Sequence, residues 1–153
     1  MADENSAQCQ IENNTVISQN SCRGIINIGE DFIYKGEFLN GRINGVGIFI
    51  WFKKNVFSEY VGEFKDDKIH GKGKITWANG DVYIGDFVEG QQKGLGEKIF
   101  INGNIYKGEF VDGYFNGAGK YVDIKSNIYE GNFKNGNFEG LGNMIYGNGD
   151  TYQ

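Results

Sequence analysis

The sequence predicts an all-β fold, a single-layer antiparallel meander of stacked β-hairpins. Three observations carry this. The motif Tyr-x-Gly-x-Phe starts at Tyr34, Tyr60, Tyr83, Tyr106 and Tyr129, and in each copy two glycines follow the tyrosine by 11 and 13 positions. The tyrosines lie 26, 23, 23 and 23 residues apart, and a further 23 reaches Tyr152. A fixed period of this size marks a repeat array, whose units bury their apolar faces against neighbours rather than around one central core. The composition agrees: 25 glycines, no proline, 15% aromatic residues and only three leucines (Leu39, Leu95, Leu141) suit strands far better than helices. Finally, each copy divides into two short runs of alternating character, the strand signal.

In chain order, residues 1–23 are polar and weakly periodic apart from Thr15-Val16-Ile17, and read as a flexible leader. Cys9 and Cys22 are the only cysteines; a disulfide between them is the alternative, and two free thiols are the expectation for a reducing compartment. Counting back one period, Gly24 takes the place of a second glycine, and Ile26 and Ile28 the places of Ile75 and Trp77. Residues 24–33 therefore read as a half-repeat capping an array that runs over 24–153, with repeats starting at 34, 60, 83, 106 and 129 and a partial one at 152. In the third repeat the strands are read as Val82–Phe87 and Leu95–Ile101, with a polar loop, Val88–Lys93, between them. Asn79-Gly80, Asn102-Gly103 and Asn148-Gly149 between repeats match the pair preferred by type I′ turns. The first repeat carries three extra residues within Trp51–Glu59, read as a longer turn that exposes Phe52 and Phe57.

Side chains alternate across a strand, so Tyr83, Gly85 and Phe87 share one face, and Gly94, Gly96 and Phe100 share a face on the partner strand. Rings laid over bare glycine backbone would recover apolar contact there. An aromatic position follows the tyrosine by 17 at Trp51, Trp77, Phe100 and Tyr146, broken once by Asp123. The opposite face is partly apolar too, with one column at Ile50, Thr76, Ile99, Val122 and Ile145 and another at Val46, Lys72, Leu95, Ala118 and Leu141. One face must curl into a groove, and the other must stay wet or meet a partner.

The unit Tyr-x-Gly-Glu-Phe…His-Gly-x-Gly, closing on Asn-Gly-Asp-x-Tyr, resembles the MORN repeat (membrane occupation and recognition nexus), most closely over Tyr60–Val82. Only that copy keeps the family's histidine, as His70, and phenylalanine replaces the family's tryptophan at the end of the first strand throughout. The resemblance implies an elongated, twisted and grooved sheet with no catalytic residues, used for scaffolding in cytoskeletal, ciliary or membrane-contact assemblies.

The leading expectation is a non-catalytic adaptor binding a peptide or helix along an aromatic groove of Trp51, Trp77, Phe100, Tyr146, Tyr60, Tyr83 and Tyr106. The alternatives are a phospholipid-binding module using Lys68, His70, Lys72 and Lys74, and a regulatory repeat region detached from a larger enzyme. Acidic neighbours, Glu63, Asp66 and Asp67, disfavour the lipid reading. A net charge of −5 argues against a nucleic-acid binder, which would show a basic stripe. Catalysis is not expected: His70 is the only histidine, and Glu37, Glu63, Asp86 and Glu109 recur once per repeat, as a structural ladder would. No cofactor or metal is expected. No apolar run approaches the roughly 18–20 residues of a membrane span, so a cytoplasmic setting is expected, in association with the cytoskeleton or a cilium. The last strand presents an open C-terminal edge, a template for self-association.

Overall fold

Two positive-φ residues in a row make the tightest hairpin that matches strand twist, and every repeat contains such a pair. The pairs are Asn40-Gly41 (φ 52° and 76°), Asp66-Asp67 (48° and 69°), Glu89-Gly90 (52° and 84°), Asp112-Gly113 (50° and 83°) and Asn135-Gly136 (51° and 84°). These turns fold a computed structural model that describes residues 7–53 and 56–153, without the side chains of Val56 and Phe57. No helix occurs among the described residues. The chain forms two compact units, divided after Ala78.

In the first unit, β1 (Ile11–Glu12) and β2 (Thr15–Val16) form a small hairpin. An antiparallel meander follows in sequence order: β3 (Cys22–Ile28), β4 (Phe32–Leu39), β5 (Arg42–Lys53), β6 (Val56–Lys65) and β7 (Lys68–Thr76). The second unit is a meander of β8 (Val82–Val88), β9 (Gln91–Ile99), β10 (Ile105–Val111), β11 (Tyr114–Val122), β12 (Ile128–Lys134), β13 (Asn137–Ile145) and β14 (Thr151–Tyr152).

The turn assignments from sequence are reversed. The type I′ pairs lie inside the repeats, so the expected loop at 88–93 shrinks to Glu89-Gly90 and β9 begins at Gln91. At Asn79-Gly80, Asn102-Gly103 and Asn148-Gly149 only the glycines have positive φ (93°, 91° and 95°). The asparagines serve differently: each Oδ1 accepts the N–H two residues on, at Asp81, Asn104 and Asp150, all at 3.0 Å. The extra residues of the first repeat likewise lengthen strands rather than a turn, adding the pairs Phe52↔Phe57 and Lys53↔Val56. Phe52 is exposed as expected, while the side chain of Phe57 lies outside the described residues.

A line of cross-strand glycine pairs runs through each unit: Gly24, Gly36, Gly47, Gly62 and Gly73 in the first. Gly85, Gly96, Gly108, Gly119, Gly131 and Gly142 form it in the second. On one side a tyrosine ring covers each repeat's pair. A Cβ added to Gly47, Gly73, Gly96, Gly119 or Gly142 would lie 2.5–2.8 Å from the ring Cζ of Tyr34, Tyr60, Tyr83, Tyr106 or Tyr129. The tyrosine thus spans its own strand and the next. Its hydroxyl donates to the carbonyl three residues on, at 2.9–3.2 Å in all five copies. The phenylalanines pack edge-on against the tyrosines, as in Tyr83–Phe87 (5.1 Å) and Tyr83–Phe110 (4.8 Å). These rings are the core.

Residues 7–18, expected as a flexible leader, are instead a folded cap. Cys9 and Cys22 form a disulfide, which corrects the expectation of free thiols. Residues 7–9 run parallel to β3, with Cys9 N–H donating to Arg23 O and Arg23 N–H to Ala7 O, both at 2.9 Å.

Candidate functional site

The side of the glycine line away from the tyrosines is where the first unit opens to solvent. There Gly24, Gly36, Gly47 and Gly62 form the floor of a groove of about 500 Å³. Ile25, Val46, Ile48 and Val61 line it, with Gln8, Arg23 and Lys35 at its rim. Ile25, Val46 and Val61 are 55%, 47% and 41% exposed, too much apolar surface in one place to be incidental. Lys35 is exposed at this rim beside Ile48; Arg23 is paired with Glu37, and beyond the lining Lys74 is the cross-strand neighbour of Val61 and Glu63 that of Val46. A counterpart of about 360 Å³ in the second unit is lined by Ile84, Leu95 and the ion pair Lys107–Glu97 (3.8 Å), and is smaller.

The groove's shape depends on a carboxylate clamp repeated beside it. The N–H of Val46, Lys72, Leu95 and Ala118 donates to Glu37, Glu63, Asp86 and Glu109 at 2.8, 2.9, 3.1 and 3.3 Å. Each clamp pins a bulge at the preceding glycine, Gly45, Gly71, Gly94 or Gly117, all with positive φ. That conformation turns Gly94 toward Asp86 while Gly96 faces Tyr83, so the two do not share a face as the simple alternation predicted. Burial raises the Glu37 carboxyl, but bonds from Arg23 (2.6 Å) and Val46 outweigh it and hold it below the usual range. The tyrosine hydroxyls go the other way. Burial, and then the carboxylates of Glu63 and Glu109, push Tyr60 and Tyr106 up to about 12.

The predicted aromatic groove separates into three environments. Tyr60, Tyr83 and Tyr106 are 0% exposed and present nothing to a partner. They are core rings, and their place in the groove is corrected accordingly. Trp51 and Phe100 are half-buried against other rings, at 5.9 Å from Phe49 and 6.2 Å from Phe115, and Lys98 lies over the Phe100 ring. Trp77 is half-buried, and Tyr146 is exposed. Trp51 shares the tyrosine face, opposite the apolar groove. At the break in the stripe, Asp123 is held below the usual carboxyl range by bonds from Asn127 and Lys125.

Of the predicted basic patch, Lys72 and Lys74 lie on the groove side, and Lys68 and Lys72 each have partners of their own. His70 is half-buried at the Gly71 bulge with Nδ1 unbonded. Sequence reasoning missed Ile25, Ile48 and Val61. The signal was present at the position after the second glycine, which among the five repeats is apolar only in the first, as Ile48 against Lys74, Glu97, Lys120 and Asn143.

The model of the MORN repeat matches residues 34–56, 60–82, 83–105, 106–127 and 129–151. No curated protein matches the chain. Five in-register matches over most of the sequence, on a sheet built from the same tyrosine, glycine and carboxylate positions, show that the chain belongs to the MORN repeat family.

Proposed function

We propose that the chain is a non-catalytic scaffold module that binds a protein partner, and that it does so in the glycine-floored groove of the first unit. The single observation that supports this is the coincidence of Ile25, Val46, Ile48 and Val61 around a floor without side chains. A partner's apolar side chains can approach the backbone there closely, and the exposed Lys35 at the rim favours a carboxylate beside them. The occupant is therefore a peptide or helix with apolar residues flanked by Asp or Glu. A cytoskeletal, ciliary or membrane-contact setting rests on the family resemblance alone.

The test is selection of peptide binders from a displayed library against the purified chain. Binders rich in apolar and acidic residues are expected, losing about tenfold or more in affinity (about 1.4 kcal/mol) with Val61→Glu or Val46→Glu while the circular dichroism stays unchanged. Trp77→Ala is expected to leave binding intact. Binders that tolerate both glutamates but are lost with Trp77→Ala would move the site to the aromatic stripe and refute the groove.

A further inference from the structure

The N-terminal cap keeps the spacing of a repeat in its sequence, although its residues 7–9 run parallel to β3 where the repeats pair antiparallel. One period of 23 before Tyr34 stands Ile11, and its Cδ1 lies 3.1 Å from where a Cβ on Gly24 would sit. Isoleucine thus fills the slot a tyrosine ring fills elsewhere, without a hydroxyl to reach the carbonyl three residues on. The cysteines also hold repeat positions. Cys9 stands two before the slot, where Ser58, Asp81, Asn104 and Asn127 accept a backbone N–H twenty residues on. Cys22 stands eleven after it, in the place of the first glycine. Where the tyrosine and its hydrogen bond are missing, a covalent bond ties the segment at residues 7–9 to β3.

The remaining attachments are few. Two backbone bonds join residues 7–9 to Arg23, and the Asn14 side chain pairs with the Asn27 backbone through both its oxygen and its amide. Val16 is buried, but Ile11 and Ile17 are 36% and 41% exposed. β1 and β2 have two residues each, far below what holds a hairpin on its own.

We infer that the Cys9–Cys22 disulfide is a redox latch that keeps the cap closed over the outer edge of β3. A dithiol reductant supplies two electrons and two protons; the S–S bond breaks, two thiols form, and the reductant leaves as its own disulfide. Residues 7–18 then detach. This frees the N–H and C=O groups of Arg23 and Asn27 and withdraws Gln8 from the end of the groove. An unpaired strand edge of this kind accepts extended segments.

Hydrogen exchange on the full chain tests this, comparing the oxidised protein, the protein reduced with dithiothreitol with both thiols verified by alkylation, and the Cys9→Ser/Cys22→Ser variant. The amides of Cys9, Arg23 and Asn27 should exchange about tenfold faster or more when reduced, as expected for local opening. β5–β7 should stay within about twofold, reoxidation should restore protection, and the double serine variant should match the reduced protein. Unchanged exchange at these amides with both thiols free would overturn the latch, because the cap would hold without the bond. Loss of protection spread through β5–β7 would overturn it as well, by making the disulfide a staple of the whole unit.

Discussion

The repeat's residue choices reduce to what a single missing Cβ permits. Gly73 is a clear case: a methyl there would meet the Tyr60 ring, with Cζ 2.5 Å away, and the ring is fixed by its hydroxyl bond to Glu63 O. Gly73→Ala is therefore expected to cost about 1–3 kcal/mol, the usual range for overpacking, read as a lowered denaturant midpoint. Gly136 has open space around its missing Cβ but a φ of 84°, so its requirement is conformational rather than steric. The tyrosines and glycines were legible from spacing alone, because the ring and the bare backbone are one contact repeated. The acidic residue was legible as a ladder, though its role as a clamp was not: a side chain reaching across a bulge leaves no alternation to read. The isoleucine at position 11 was also hidden, since it keeps the slot but changes its chemistry.

At the scale of the hairpin, the fifth repeat is the exception that tests the clamp. Asn132 replaces the acid, Gly140 has nothing within 4 Å of its missing Cβ, and the acid stands across the strand as Glu139. In the fourth repeat the order is opposite, with Glu109 facing Asn116. Asn132→Glu alone would set two carboxylates side by side, so it is expected to be neutral or destabilising. Combined with Glu139→Asn it should restore the clamp and stabilise by about 0.5–1.5 kcal/mol, the net worth of one hydrogen bond. A double-mutant cycle by thermal or denaturant unfolding reads the coupling, and additive single effects would refute it. The hairpins were foreseeable from the period, but their turns were assigned to the wrong ends. Asn-Gly satisfies a type I′ turn and an Asn-capped five-residue connection equally well, and Asp66-Asp67 or Glu89-Gly90 carries no comparable signal.

Over the whole molecule the buried tyrosines make stability fall in alkali. Tyr60 and Tyr106 are pushed to about 12, and Tyr34 and Tyr83 are also raised, chiefly by burial. Their pKa values in the unfolded chain lie near 10, about the model-peptide value. The unfolded chain therefore releases these protons first. The stability they contribute is complete below about pH 10 and is lost as pH rises toward 12. Alkaline unfolding in that window is expected, with tyrosinate absorbance and loss of β-sheet signal moving together. Tyr60→Phe should lower stability at neutral pH by about 0.5–1.5 kcal/mol through the lost hydroxyl bond, yet make the alkaline limb shallower. Tyrosine ionisation that runs to completion while the sheet signal persists would contradict the burial.

The glycine line has one more consequence. In the first unit the floor of the groove and the roof over the tyrosines are the same backbone, with Gly36 and Gly47 above Tyr34 and Gly62 above Tyr60. A ligand in the groove and these phenols lie on opposite sides of a wall one peptide thick. A carboxylate seated on the groove side would act on their ionisation through that wall, without touching them. The chain thus carries native optical gauges on the far side of its proposed binding surface.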